Sequence, residues 1–258
     1  MIYILIEYFK FILKSSNQHG VHSPFVYNLI TKCFYQKTDT VFWNKFKNIK
    51  QQLLDNNDYI KVTDFGSGSK VFKTNNRKIA KIAKVAGLSN KKAKLLIKLN
   101  NYFKPKNILE IGTSLGLGTS AMKIGNQNSS ILTLEGCKNT SNVAQNLFKK
   151  NNLTSIEIKT GDFKETLPKA INNKKYDFIY FDGNHTKKDT LNYFNSCLNT
   201  IHNDSFWIFD DIYWSNEMKE AWNEIKNHPK VKVTVDVFHW GIVFFRKEQE
   251  KEHFKIRI

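Results

Sequence analysis

The chain has 258 residues, enough to bury a full core, and its 41% apolar content is ordinary for a globular protein. No run approaches the roughly 20 apolar residues that a bilayer-spanning helix needs. The net charge of +17 is unevenly spread, with 19 Lys and Arg against five acids in residues 1–104 and 21 against 18 in the remainder.

Taken from the start, residues 2–13 are apolar except for Glu7 and Lys10, and with Lys14 these polar positions share one helical face. The pattern predicts a helix packed on the domain; an interfacial membrane helix is the sharper alternative. With no basic n-region and no small-residue cleavage site, a signal peptide is not expected. Residues 19–24 read as a turn, and Ser23-Pro24 starts the next helix. His19 and His22 have no third ligand nearby, so a turn is preferred to a metal site. A Gly-rich turn is expected at 62–69. Its Asp64-Phe65-Gly66 triplet lacks the catalytic loop and lysine-bearing strand that a kinase would add.

Helices are expected over 77–86 and 91–99. Between Asp64 and Glu110 stand twelve Lys or Arg and no acid. That imbalance points either to an anionic partner or to a solvated lysine face in a chain rich in Asn, Lys and Ile. Residues 1–104 are thus read as a basic, mainly helical N-terminal region preceding a second domain at 105–258. Cys33, Cys137 and Cys197 are far apart and odd in number, which fits a reducing cytoplasm.

From Lys106 onward short β runs alternate with helical segments. Strands are expected at 107–111, 130–134, 155–159, 176–181, 205–209, 231–237 and 242–246, with helices such as 139–150 and 187–198 between the first five. The β-α repeat predicts an α/β fold, a parallel sheet with helices on both faces. Only residues 238–241 separate the last two strands, and so short a turn joins antiparallel strands. Trp222 is expected in the core, and Trp214 is a candidate wall of a substrate pocket.

The first of these strands ends in Glu110, followed by Gly112, Thr113, Ser114, Gly116 and Gly118 and then a helix. That is the layout of a nucleotide site at a strand's carboxyl end. Glycines there let the backbone approach a ligand. The second strand ends in Glu135, an acid able to accept both hydroxyls of a ribose. The third ends in Gly161-Asp162, whose carboxylate can reach an adenine amino group. Three acids at successive strand ends converge on one crevice.

These residues, with Asp177-Phe-Ile-Tyr-Phe-Asp182, resemble the motifs of class I S-adenosylmethionine-dependent methyltransferases. More closely, about residues 85–248 resemble the catechol O-methyltransferase-like branch and the related metal-dependent sugar O-methyltransferases. The resemblance implies a Rossmann-like seven-stranded sheet with its last strand antiparallel, here with an N-terminal helical extension. It implies S-adenosylmethionine as cofactor, with Glu110 and the 112–116 backbone near its methionine end, Glu135 on the ribose and Asp162 near the adenine. Asp182 is counted with the cofactor residues as well. Where this chain has Gly118, the branch often has a Ser that helps hold the cofactor carboxylate. Thr119 and Ser120 are the two hydroxyls available in its place, and the sequence does not choose between them.

The fourth strand ends in Asp182 and the fifth in Asp210-Asp211. Three carboxylates brought together raise one another's pKa unless they share a cation. All-oxygen ligands suit Mg²⁺ or a similar hard divalent ion. The resemblance places such a metal on Asp182, Asp210 and Asp211, where it would orient and acidify a substrate hydroxyl. Capping of the following helix through Ser215 is the alternative reading of the Asp210-Asp211 pair. His185 stands where catechol-type enzymes carry a lysine base, and with Asp182 it is the candidate catalytic pair.

The expected function is methyl transfer to a small hydroxylated molecule. The alternative is a methyltransferase on RNA or another anionic polymer docked on the basic N-terminal region, although no Asn-Pro-Pro-Tyr-type motif is present. A binding protein that kept the fold without activity is a third class, disfavoured by acids at all five strand ends. No transmembrane segment is expected, the location expected is cytoplasmic, and a homodimer is left open.

Overall fold

The computed structural model describes residues 2–63, 72 and 74–258. The chain divides into two compact units, one of Met1–Tyr35 with Ile171–Ile258 and the other of Gln36–Ala170. The Gly-rich turn expected at 62–69 lies, from Asp64 onward, outside the described residues, as do Lys70 and Lys73.

The first unit opens with α1 (Ile2–Lys14) and α2 (Pro24–Leu29). α1 buries Glu7 and Phe11. Lys10 at 3.0 Å and Lys219 at 2.8 Å neutralise Glu7. Burial alone would raise the Glu7 pKa, but the bonds and charges of Lys219 and Lys10 hold it below the ordinary glutamate value. α2 begins as expected, with Pro24 in its first turn and the Ser23 hydroxyl accepting the Val26 N–H.

The second unit starts with α3 (Thr40–Leu54), whose Asp39 cap accepts the N–H groups of Val41 and Phe42. A two-stranded antiparallel hairpin follows, β1 (Tyr59–Lys61) with β2 (Asn76–Lys78). This hairpin adds two short strands to a region read as mainly helical. Arg77 and Lys78 pair with Ile60 and Tyr59, so the helix expected from residue 77 starts only at Ile79, as α4 (Ile79–Val85). α5 (Asn90–Phe103) begins at the Ser89 cap and buries Leu95, Leu96 and Leu99 as its spacing predicts.

Strand and helix then alternate: β3 (Asn107–Ile111), α6 (Leu117–Gly125), β4 (Ser130–Glu135), α7 (Lys138–Lys150), β5 (Ile156–Thr160) and α8 (Phe163–Ile171). β4 runs parallel between β3 and β5, with Glu110 opposite Thr133 and Glu135 opposite Thr160. The middle of β3 and β4 is buried without alternation, as parallel strands covered on both faces require.

The first unit resumes with β6 (Phe178–Phe181), α9 (Lys187–Cys197), β7 (Phe206–Asp210), α10 (Asn216–Asn227), β8 (Val233–Asp236), β9 (Trp240–Phe244) and β10 (Glu252–Lys255). Its strand order is β10-β8-β9-β7-β6. β9 is antiparallel to both neighbours, while β6 with β7 and β8 with β10 are parallel. The expected reversed strand is therefore present, seated between β7 and β8. Stacked rings at matching register, Phe178 on Phe206 and Phe181 on Phe209, tie β6 to β7. β10 was not expected, because Glu252-His253-Phe254-Lys255 lacks the apolar pattern of a strand; edge strands need none on their open side. Trp222 is buried and Trp214 is 37% exposed.

Candidate active site

In the second unit the strand-end acids are locked before any ligand arrives. Glu110 is buried in β3 and accepts the hydroxyls of Thr119 and of Thr133, the latter at 2.6 Å. Thr113 and Thr133 share a further hydroxyl bond at 2.6 Å. Glu110 thus ties β3 to β4 and to the first turn of α6, which shapes the 112–116 loop. The sequence did not single out Thr133. Its signal was the parallel register that sets it opposite Glu110.

The loop turns sharply, with positive φ at Gly112 (108°), Ser114 (49°) and Gly116 (84°). Gly116 cannot carry a side chain, since an added Cβ would lie 2.6 Å from the Phe148 ring. It caps α6 with no side-chain hydrogen bond. Both candidate hydroxyls are bonded within the fold. Thr119 and Ser120 are fully buried, one bonded to Glu110 and the other donating to the Gly116 carbonyl at 2.7 Å. This corrects the expectation that one of them replaces the missing serine at Gly118.

Glu135, half-buried, has both oxygens oriented by backbone donors. Oε2 accepts the Ser114 N–H at 2.7 Å, and Oε1 accepts the Cys137 N–H at 2.9 Å. The carbonyl of Glu135 accepts the Gly161 N–H at 2.9 Å. Asp162 follows and begins α8, its Oδ1 accepting the Lys164 N–H at 2.9 Å. Glu135 therefore touches both the 112–116 loop and the 161–162 turn.

In the first unit, Asp182 follows β6, Asp210 ends β7 and Asp211 follows it. Nε2 of His185 lies 3.3 Å from Oδ1 of Asp182. His185 (φ 44°), Asn184 (φ 61°) and Asp211 (φ 53°) all hold left-handed backbone, a strain that concentrates at functional sites. Burial pushes the imidazole pKa down, but the bond and charge of Asp182, then the charges of Asp211 and Asp210, raise it to about 9. The three carboxylates thus act on one imidazole, which is an imidazolium at neutral pH.

Asp210 is buried. Its Oδ2 accepts the Tyr180 hydroxyl at 2.9 Å, and its Oδ1 the Asp211 N–H at 2.7 Å. The His239 carbonyl also receives the Asp211 N–H, at 2.8 Å. Tyr180 and His239 are partners the sequence did not reveal. Ser215 caps α10, as the capping alternative expected, accepting the Met218 N–H at 3.2 Å.

The expected metal centre does not fit this arrangement. Among the described residues no group of three or more His, Cys, Asp or Glu is placed to hold an ion. Asp182 already faces a cation in His185, so its charge is met within the fold.

Residues 109–212 match a family described as a methyltransferase domain. All the candidate residues, from Glu110 to Asp211, lie inside the matched segment. Among solved structures, a methyltransferase from Podospora anserina with S-adenosylhomocysteine bound is similar over 88% of this chain and 98% of its own, at TM-score 0.60 and 14% identity. An O-methyltransferase from Bacillus cereus, in complex with S-adenosylhomocysteine, matches over 86% and 97%, at 0.55 and 19%. The O-methyltransferase TomG from Streptomyces achromogenes, involved in tomaymycin synthesis and solved with S-adenosylmethionine, matches over 86% and 95%, at 0.53 and 12%. No curated protein matches the chain. The fold of this chain is the fold these proteins share, as the sequence motifs imply.

Proposed function

We propose that the chain is an S-adenosylmethionine-dependent O-methyltransferase acting on a small hydroxylated molecule. The observation that carries this reading is Glu135, held by two backbone N–H groups at the end of β4. A carboxylate offers about four acceptor sites, so an acid oriented by two donors still accepts ribose hydroxyls. The 112–116 loop and the start of α6 would take the methionine end, and Asp162 would lie near the adenine. Bound S-adenosylmethionine supplies an electrophilic methyl on a sulfonium.

The neutral form of His185, the minor form at pH 7 given a pKa of about 9, would take the proton of the acceptor hydroxyl as its oxygen attacks the methyl and S-adenosylhomocysteine leaves, so turnover should rise with pH toward 9. An imidazole raised to about 9 suits hydroxyls of phenolic acidity, whose pKa is about 10. No step is routed through a divalent ion, because the acids around His185 do not form a metal group. No observation favours the polynucleotide alternative. Lys81 and Lys94 lie over the rings of Phe72 and Trp43.

The test is methyl transfer from labelled S-adenosylmethionine to a panel of phenols and sugars, with and without EDTA. The expected result is an O-methylated product with undiminished turnover in chelator. Failure to bind S-adenosylhomocysteine would sink the reading, and loss of turnover in EDTA alone would restore the metal.

A further inference from the structure

Helix α1 packs one face and leaves another bare. Tyr8 and Phe11 lie against the Phe238 ring at 4.9 and 5.6 Å, and Glu7 is held by Lys219 and Lys10. The opposite face carries Ile2, Leu5, Ile6, Phe9 and Leu13, which are 75, 54, 47, 68 and 84% exposed. At about 100° per residue these five fall within an arc of about 100°. Single exposed apolar residues are ordinary, but a continuous strip on the order of several hundred Å² marks an interaction site.

Charge identifies the occupant. Lys10 and Lys14, both exposed, follow one edge of the strip, and because Glu7 is shared between Lys10 and Lys219 the sum over these four groups stays positive. Glu7, the sole acid of α1, is turned inward and neutralised. The outward surface of α1 therefore offers apolar side chains and positive charge, with no negative charge of its own. A second copy of the chain would bring two sets of lysines to one rim with no acid of α1 to answer them. Five side chains also fall short of the roughly 800 Å² per partner of a stable protein interface. An anionic bilayer surface satisfies both features, acyl chains taking the strip and headgroups taking the lysines.

We infer that α1 docks this protein on an anionic lipid surface, lying in the plane of the interface. It lies on the bilayer rather than across it: among the described residues no helix is long and apolar enough to span one. The inference stands on α1 alone and does not depend on the methyl-transfer reading.

Sedimentation with vesicles tests it, using phosphatidylcholine alone and phosphatidylcholine mixed with phosphatidylserine. The full chain should bind the mixed vesicles, bind phosphatidylcholine weakly, and release as salt rises. The double variant Phe9→Glu with Leu13→Glu changes only exposed positions and should unfold at the wild-type temperature. Its partition onto mixed vesicles should fall about a hundredfold. Lys14→Glu, tested separately, should weaken binding to mixed vesicles without altering the weak binding to phosphatidylcholine. No vesicle binding by the wild type, or equal binding to both compositions, would overturn the inference. So would light scattering that finds a wild-type dimer and a monomeric double variant, which would assign the face to a second copy.

Discussion

Replacing Glu135 with alanine separates a ligand-binding role from a purely structural one. The carboxylate accepts backbone N–H groups of Ser114 and Cys137 at 2.7 and 2.9 Å. Removing it orphans both donors in a partly buried loop, at a cost of about 1–3 kcal/mol each if water does not reach them. The apo protein should lose about 2–4 kcal/mol of stability on that count. If Glu135 also holds a ribose, cofactor binding loses a further ~2 kcal/mol, about thirtyfold in Kd. Urea unfolding of the apo protein reads the first quantity, and calorimetric titration of S-adenosylhomocysteine reads the second. Glu135→Gln keeps one acceptor and should fall between wild type and alanine in both. A folded Glu135→Ala variant that binds S-adenosylhomocysteine with wild-type affinity would refute the assignment, whatever its stability.

Two further perturbations probe each unit. Gly116→Ala forces a Cβ to 2.6 Å from the Phe148 ring at a φ of 84°, and should destabilise the chain by about 2–4 kcal/mol. Adding Phe148→Leu should recover part of that loss, and an unchanged unfolding midpoint in Gly116→Ala would contradict the packing. For His185 the folded pKa of about 9 exceeds the ordinary 6.5. Its pairing with Asp182 therefore stabilises the fold fully below pH 6.5 and is lost as pH rises through 9. With the pair partly open to water, the effect is about 2–3 kcal/mol at most. Urea midpoints should decline over that window and flatten in His185→Gln, and a wild-type profile flat across it would show that the pair adds nothing.

Much of the architecture was legible because it rests on period and spacing. The β-α alternation after residue 105 survives in every expected strand, and the few residues between Asp236 and Trp240 were enough to demand a reversal. What escaped depends on pairing rather than pattern. Asn76, Arg77 and Lys78 continue a helical periodicity and still form a strand, because Tyr59–Lys61 offers them backbone partners. Glu252–Lys255 has no apolar alternation but adds to β8 as an edge, its His253 bonded to Thr234 at 2.9 Å.

The site divides along the same line. That acids stand at strand ends follows from the sequence, since strand ends can be placed to within a residue or two. Which oxygen is already occupied does not, because it depends on neighbours supplied by other elements. Glu110 and Glu135 look alike as strand-end glutamates. Yet Glu110 is sealed by the hydroxyls of Thr119 and Thr133, while Glu135 is oriented by main-chain donors and stays partly exposed. The same distinction bears on Asp182, Asp210 and Asp211. Counted from sequence they are three free carboxylates in need of a cation. In the fold, Tyr180 and the Asp211 N–H occupy Asp210, and the imidazolium of His185 meets Asp182. The positive charge that a cluster of acids requires is supplied by the chain itself. That is why the acidity of His185, rather than the binding of an ion, is the property on which the proposed proton transfer turns.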